Sequence, residues 1–192
     1  MCGECLKVCP GYETIHPSFD DEPELIPKVQ KGWGPVLEIW EGYAADPDIR
    51  YNGSSGGLAG AIALYCLENE GVHGVLHTGT DEEKPWKNKT VFSCNRADIL
   101  SRTGSRYSPA SPCDGLSYIE NASSPCVFIG KPCDIAGLRK AQNLRTELDK
   151  KVGLAIGIFC AGTPSTQGTL DLIEQCNINT NEIEGLRYRG KG

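Results

Sequence analysis

Residues 126–134 read Cys-Val-Phe-Ile-Gly-Lys-Pro-Cys-Asp. An apolar run of this length, closed by glycine and proline, has the pattern of a strand buried on both faces. A second run, Val152-Gly-Leu-Ala-Ile-Gly-Ile-Phe159, has the same character and leads into Cys160-Ala-Gly-Thr-Pro164. Each run is followed within a few residues by a cysteine, Cys133 and Cys160. In open parallel α/β sheets, ligands occupy the crevice beyond the carboxyl ends of the strands. Two thiols placed there on separate strands can converge on one metal or cluster.

The flanking sequence supports a sheet of this kind. Helical patterns at about 134–145 and 165–176 follow the two runs. Upstream, Asn52-Gly-Ser-Ser-Gly-Gly57 opens a helix in which Leu58, Ala61, Ile62, Tyr65 and Leu67 broadly keep a 3.6-residue period. Ser54 or Ser55 is the expected N-cap and Gly71 the stop. Strands are expected at Val36–Ala45, at Val72–Thr78 with His73 and His77 on one face, and at Thr90–Ser93. A helix capped by Asn95 and a short one near Asp114–Glu120 complete the alternation. The expected fold class is α/β, a mostly parallel sheet with flanking helices. A cysteine-rich stub (1–10) and a Pro-, Gly- and acid-rich linker (11–35) precede the domain at 36–192.

The net charge of −6 with mixed signs argues against a nucleic-acid protein. No run approaches the roughly 18 apolar residues of a membrane span. The N-terminus lacks the pattern of a signal peptide, so a cytoplasmic location is expected. Ten cysteines in 192 residues is then high, because cytosolic thiols stay reduced. Metal binding is the natural reading of the clustered ones. Cys66, Cys126 and Cys176 read as packing residues, while Cys94 and Cys113 remain open.

Cys2-Gly-Glu-Cys5-Leu-Lys-Val-Cys9-Pro10 matches the last three cysteines and the proline of the bacterial ferredoxin run C-x₂-C-x₂-C-x₃-C-P. The first cysteine of that run would fall one residue before this sequence, which suggests a fragment. The other reading of C-x₂-C is half of a zinc site, against which the C-x₃-C-P tail argues. Spacing alone leaves Cys133 and Cys160 as cluster ligands, as inert core thiols, or as a nucleophile with Lys131 nearby.

The small residues at Ser54, Ser55, Gly56 and Gly57 can present backbone N–H groups to an anion such as a dinucleotide pyrophosphate, or serve ordinary capping. Arg106 and Tyr107 are candidates to contact a phosphate and a planar ring. Lys131, just past a strand end, is a candidate catalytic residue facing a reduced flavin. Solvated surface charge is the alternative for both basic residues.

The chain resembles the flavin-containing beta subunit family of deazaflavin (coenzyme F-420) reducing hydrogenases and formate dehydrogenases, which includes 7-hydroxymethyl chlorophyll a reductase. The resemblance rests on Cys2–Pro10, Gly53–Gly57, Arg106-Tyr-Ser-Pro109, Gly130-Lys-Pro-Cys133, Phe159–Pro164 and Tyr188-Arg-Gly-Lys-Gly192. It implies FAD bound in the α/β domain beside up to two 4Fe-4S clusters. Cys133 and Cys160 would share one cluster with a later C-x₂-C pair, and Cys2, Cys5 and Cys9 would belong to a ferredoxin-like segment. Segments 53–57 and 106–107 would line the FAD site. The chain stops before a later C-x₂-C pair, so truncation at both ends is expected.

The implied activity is an iron–sulfur flavoprotein oxidoreductase acting on a small organic redox substrate. The implied partner is a catalytic or electron-donor subunit, or a ferredoxin. Two alternatives are an electron-transfer subunit with no substrate of its own and a zinc-stabilised binding module without redox activity.

Overall fold

A computed structural model describes residues 3–14 and 24–189. Cys2 and His16, and the closing 190–192, lie outside the described residues. The elements run α1 (Glu4–Val8), α2 (Pro27–Trp33), α3 (Pro47–Asn52), α4 (Leu58–Asn69), β1 (Val75–Thr80), β2 (Asn88–Ser93), α5 (Arg96–Leu100), α6 (Leu116–Glu120), β3 (Cys126–Gly130), α7 (Pro132–Gln142), α8 (Thr146–Lys151), β4 (Val152–Gly157) and α9 (Thr166–Gln175).

The strands form a four-stranded sheet in the order β2-β1-β3-β4. β1, β3 and β4 are parallel, and β2 is an antiparallel edge. The fold is therefore mixed α/β and mostly parallel, as expected.

Alternation along the strands sends successive side chains to opposite faces, and the core divides accordingly. Val75 and Val127 face one way and pack with Ala63 and Leu64 of α4 and Ile99 of α5. Leu76 and Phe128 face the other way, against Leu116 and Ile119 of α6, Leu138 of α7 and Leu148 of α8. Helices cover both faces, which is why β3 carries no polar side chain. α7 starts where Pro132 supplies a preset φ at the first turn. α4 stops before Gly71, which takes φ +66°.

Several expectations need correction. Residues 36–45 pair with no strand; Leu37, Ile39, Trp40 and Tyr43 are exposed, and Trp40 Nε1 donates to Glu38 at 2.6 Å. The composition suits a strand, but β propensity reflects packing on a neighbour; among the described residues no strand lies alongside, and Val36 O and Ala44 N bond Ile26 and Gly56 instead. The apolar run at 152–159 reads as central, yet β4 is a sheet edge, half-buried, and Phe159 is 85% exposed. His73 precedes β1 and is exposed, hydrogen-bonded to Ser123, so it shares no strand with His77. Neither Ser54 nor Ser55 caps α4, whose N-cap is Gly57; Ser54 precedes a 3-10 turn at Ser55–Gly57 without a side-chain cap, and its hydroxyl accepts the Ser105 N–H at 2.9 Å. Within 11–35, residues 27–33 are helical and 15–23 lie outside the described residues.

Candidate functional site

Beyond the carboxyl ends of β3 and β4 opens a cavity of about 1070 Å³. Its inner wall is apolar, from Ala59, Ile62, Val75, Ile129 and Ile156. Its rim is made of small polar loop residues, Ser54, Ser55, Thr103 and Ser105. Such a cavity sits where the α/β topology leaves a crevice, and an apolar body with a few convergent polar groups is the usual form of a cofactor site.

Seven of the candidate site residues singled out from sequence line it: Ser54, Ser55, Gly57, Arg106, Tyr107, Lys131 and Cys160. Gly56 is not among them. It adopts φ +70°, and an added Cβ would stand 2.9 Å from Tyr43 Cβ. Gly57, at φ +71°, and Gly53 close the loop on α3: a Cβ on Gly57 would meet Ile49 O at 2.5 Å. These glycines are required first by the chain's own close approach.

The charged residues are not equally free. Arg106 spends its guanidinium on Asn88 Oδ1, Pro85 O (2.6 Å), Lys87 O (3.2 Å) and Leu186 O (3.4 Å). It clamps the 85–88 loop to the C-terminal segment. Arg102 is paired with Glu82 at 3.1 Å and donates to Asp98 O. Lys131 Nζ donates to Asp134 Oδ2 at 2.7 Å, and the same oxygen accepts the Lys131 backbone N–H at 2.8 Å. Asp134 thus holds the lysine at the start of α7 and itself lines the cavity. Sequence reading missed Asp134, although its position three residues after Lys131 is the spacing of a helix-start carboxylate. It also assigned no role to Arg189, although Arg189 lies in the Tyr188–Gly192 segment that carries the resemblance.

His77, on the floor, is buried. Its Nδ1–H donates to Thr78 O (3.1 Å), and its Nε2 accepts from the Ser93 hydroxyl (2.9 Å). Burial pushes its pKa down to about 4 from 6.5. An unfolded chain takes up this proton below about pH 6.5 and the native one only near pH 4. Stability contributed by the neutral ring is therefore complete above pH 6.5, falls as pH drops through this window, and is lost below 4. The full effect is about 3 kcal/mol. Chemical denaturation of wild type and His77→Gln at pH 7.5 and 4.5 should show a shallower acid loss in the variant; equal slopes would refute the role.

Cys133 and Cys160 are both exposed. Gly130 and Gly157 are register partners on β3 and β4, and each cysteine lies three residues beyond its glycine. Past these glycines the two paths differ: Cys133 is the second residue of α7, whereas Cys160 lies in the loop that follows β4. Cys160 lines the cavity and Cys133 does not. Cys160 Sγ accepts the Gly162 N–H at 3.4 Å. Among the described residues, no three His, Cys, Asp or Glu side chains gather as a metal site.

Cys5 lies in α1 and Cys9 caps its end, both exposed. This segment seats on α7: a Cβ on Gly137 would stand 3.8 Å from Pro10 and from Val8 O, and Lys140 donates to Cys9 O (3.2 Å) and to Glu13 O. Cys126 is a buried core residue and Cys66 is half-buried, as expected, but Cys176 is exposed. Cys113 packs beside α7, and burial pushes its thiol up to about 11, so it is a neutral packing group.

The sheet and the crevice at its strand ends define a mixed α/β protein with a cavity of cofactor size. Comparison with known proteins is specific. Residues 39–116 match the N-terminal model of the coenzyme F420 hydrogenase/dehydrogenase beta subunit, and residues 125–192 match its C-terminal model. The chain belongs to the coenzyme F420 hydrogenase/dehydrogenase beta subunit family, a family with oxidoreductase members.

Among its relatives is the coenzyme F420-dependent sulfite reductase of Methanocaldococcus jannaschii, 27% identical over 95% of this chain and 34% of that protein. Another is the coenzyme F420 hydrogenase subunit beta of Methanosarcina barkeri, 31% identical over 61% of this chain and 42% of that one. A chain of the F420-reducing [NiFe] hydrogenase complex from Methanosarcina barkeri superposes with a TM-score of 0.66 at 25% identity, covering 77% of this chain and 52% of that chain. The chain thus spans about a third to two fifths of the curated relatives. Among the described residues, no helix is long and apolar enough to cross a membrane.

Proposed function

We propose that the chain is the FAD-binding α/β part, residues 36–192, of an iron–sulfur flavoprotein oxidoreductase. FAD occupies the cavity, and a 4Fe-4S cluster beside it is held in part by Cys133 and Cys160. One observation carries this reading. Cys160 lies on the wall of a dinucleotide-sized cavity, and Cys133 opens the helix that follows the neighbouring parallel strand.

Bound FAD supplies the exchange between single electrons and a two-electron or hydride transfer to an organic molecule. This chain's own residues do the rest. The apolar wall excludes water from the ring. Tyr107 offers a planar face. The Lys131 ammonium, held by Asp134, favours negative charge on the ring nearby. The loop bearing Ser54, Ser55, Gly56 and Gly57 supplies small residues and backbone donors at the rim. Arg106 orders the surrounding loops through its carbonyl contacts rather than reaching a phosphate itself.

Residues 1–10, with Cys2, Cys5 and Cys9, form a ferredoxin-like segment for a second 4Fe-4S cluster, joined by the connection at 11–35. Its contact with α7 at Gly137 and Lys140 lies roughly 6–10 Å along the helix from Cys133, at 1.5 Å per residue. That proximity supports electron passage between the two thiol groups.

The substrate is a small redox molecule such as a deazaflavin coenzyme, in keeping with the F420-dependent relatives. A catalytic or electron-donor subunit, or a ferredoxin, is the expected partner, in the cytoplasm. The subunit status of one relative also favours a second reading, an electron-transfer subunit without its own substrate; co-purification with a catalytic subunit, and no turnover alone, would select it.

An anaerobic ultraviolet–visible spectrum with iron, sulfide and flavin assays tests the main reading. Flavin bands with a broad shoulder bleached by dithionite support it. A colourless protein containing zinc and no flavin overturns it.

A further inference from the structure

We infer that Arg189 is the phosphate-binding cation of this cavity, a role that rests on the reading of the cavity as a flavin dinucleotide site. The wall carries four cations, Arg102, Arg106, Lys131 and Arg189, against a single carboxylate, Asp134. A chain of net charge −6 thus concentrates positive charge in this crevice, which calls for an anionic ligand. Three of the four are already engaged: Arg102 with Glu82, Arg106 with loop carbonyls and Asn88, and Lys131 with Asp134. The Arg189 guanidinium meets no hydrogen-bonding or ionic partner among the described residues.

Its backbone is fixed in place. Arg187 donates from Nε to Arg189 O at 2.9 Å and from Nη2 to Tyr51 O at 3.1 Å. Tyr188 packs edge-on against Tyr107 at 5.6 Å, lies under the Arg106 guanidinium at 5.7 Å, and bonds Thr169 at 3.2 Å. The 186–189 segment therefore straps the 85–107 loops to the end of α3. Tyr51 lies just before the Ser54–Gly57 loop, whose Ser54, Ser55 and Gly57 share the cavity wall with Arg189. A fixed backbone carrying an uncommitted guanidinium beside small-residue donors suits a phosphate ester, which arginine binds with paired, charge-assisted hydrogen bonds.

The test is equilibrium binding of FAD and of riboflavin, which has the same ring and no phosphate, to the wild-type chain, Arg189→Ala and Arg189→Lys. Circular dichroism and melting would confirm that each is folded. Arg189→Ala should lose about 10- to 100-fold in FAD affinity with riboflavin affinity unchanged. Its FAD binding should also depend less on salt, and Arg189→Lys should recover part of the loss. Unchanged FAD affinity, or an equal loss for riboflavin, overturns the role of Arg189. A wild-type chain that binds neither flavin overturns the cavity reading itself.

Discussion

Cys133→Ser and Cys160→Ser should each abolish the same iron–sulfur centre, and the double variant should hold no less iron than either single one. The reason is geometric. Gly130 and Gly157 are opposite one another in the β3–β4 ladder, and the two cysteines follow at equal offsets. Adjacent strands lie about 4.8 Å apart, so the two chain segments leave the sheet side by side, Cys133 entering the first turn of α7 and Cys160 the loop after β4. Both are exposed rather than committed to the core. A four-thiolate cluster loses stability outright when one ligand is withdrawn, so the effects should be non-additive. Iron and sulfide content after anaerobic reconstitution is the readout. The shared site is refuted if, in a protein extended at both ends to include the further thiolates, only one substitution lowers iron, or if that extended wild type takes up none. The flavin bands should persist in both variants, because Cys133 lies off the cavity wall and Cys160 lends it one side chain among many.

The second large effect is expected at Gly57. Alanine there combines two penalties: a left-handed φ of +71° and a Cβ only 2.5 Å from Ile49 O and 3.0 Å from Ile49 C. The first costs about 1–2 kcal/mol. The overlap is with backbone, which has no flexible end to swing aside, and brings the total to roughly 3 kcal/mol or more. In a chain of this size that corresponds to a melting temperature roughly 6–12 °C lower.

Gly71→Ala is the control. Its φ is +66°, yet nothing stands within 4 Å of the added Cβ, so only the conformational penalty applies. If Gly57→Ala melts no lower than Gly71→Ala, the close approach of the loop to α3 is not what demands glycine. Gly56→Val belongs with Gly57→Ala. Its clash is with Tyr43 and its place is off the cavity lining, so stability should fall and any loss of flavin should follow from the loop.

The apolar runs at 126–130 and 152–157 determined the two adjacent parallel strands, and the Gly-Lys-Pro-Cys and Phe-Cys-Ala-Gly segments determined that cysteines would follow them. Such features are local. A run of apolar β-formers, a Pro at a first helical turn and a Gly at a helix end act through the conformations of a few consecutive residues. The ferredoxin-like spacing of Cys5, Cys9 and Pro10 is legible for the same reason.

Only the tertiary structure decided the rest. Val36–Ala45 has strand composition, but a strand needs a partner, and which edge is free depends on residues far away in sequence. The Val152–Phe159 run resembles a central strand because its own composition says nothing about what lies beside it. Whether a cation in the cavity is available was equally hidden. Arg106 is consumed by Pro85, Lys87, Asn88 and Leu186, and Lys131 by Asp134, while Arg189 is left uncommitted among the described residues. A charge is visible in sequence. Its freedom to meet a ligand is fixed by the carbonyls and carboxylates that folding brings within about 3 Å of it.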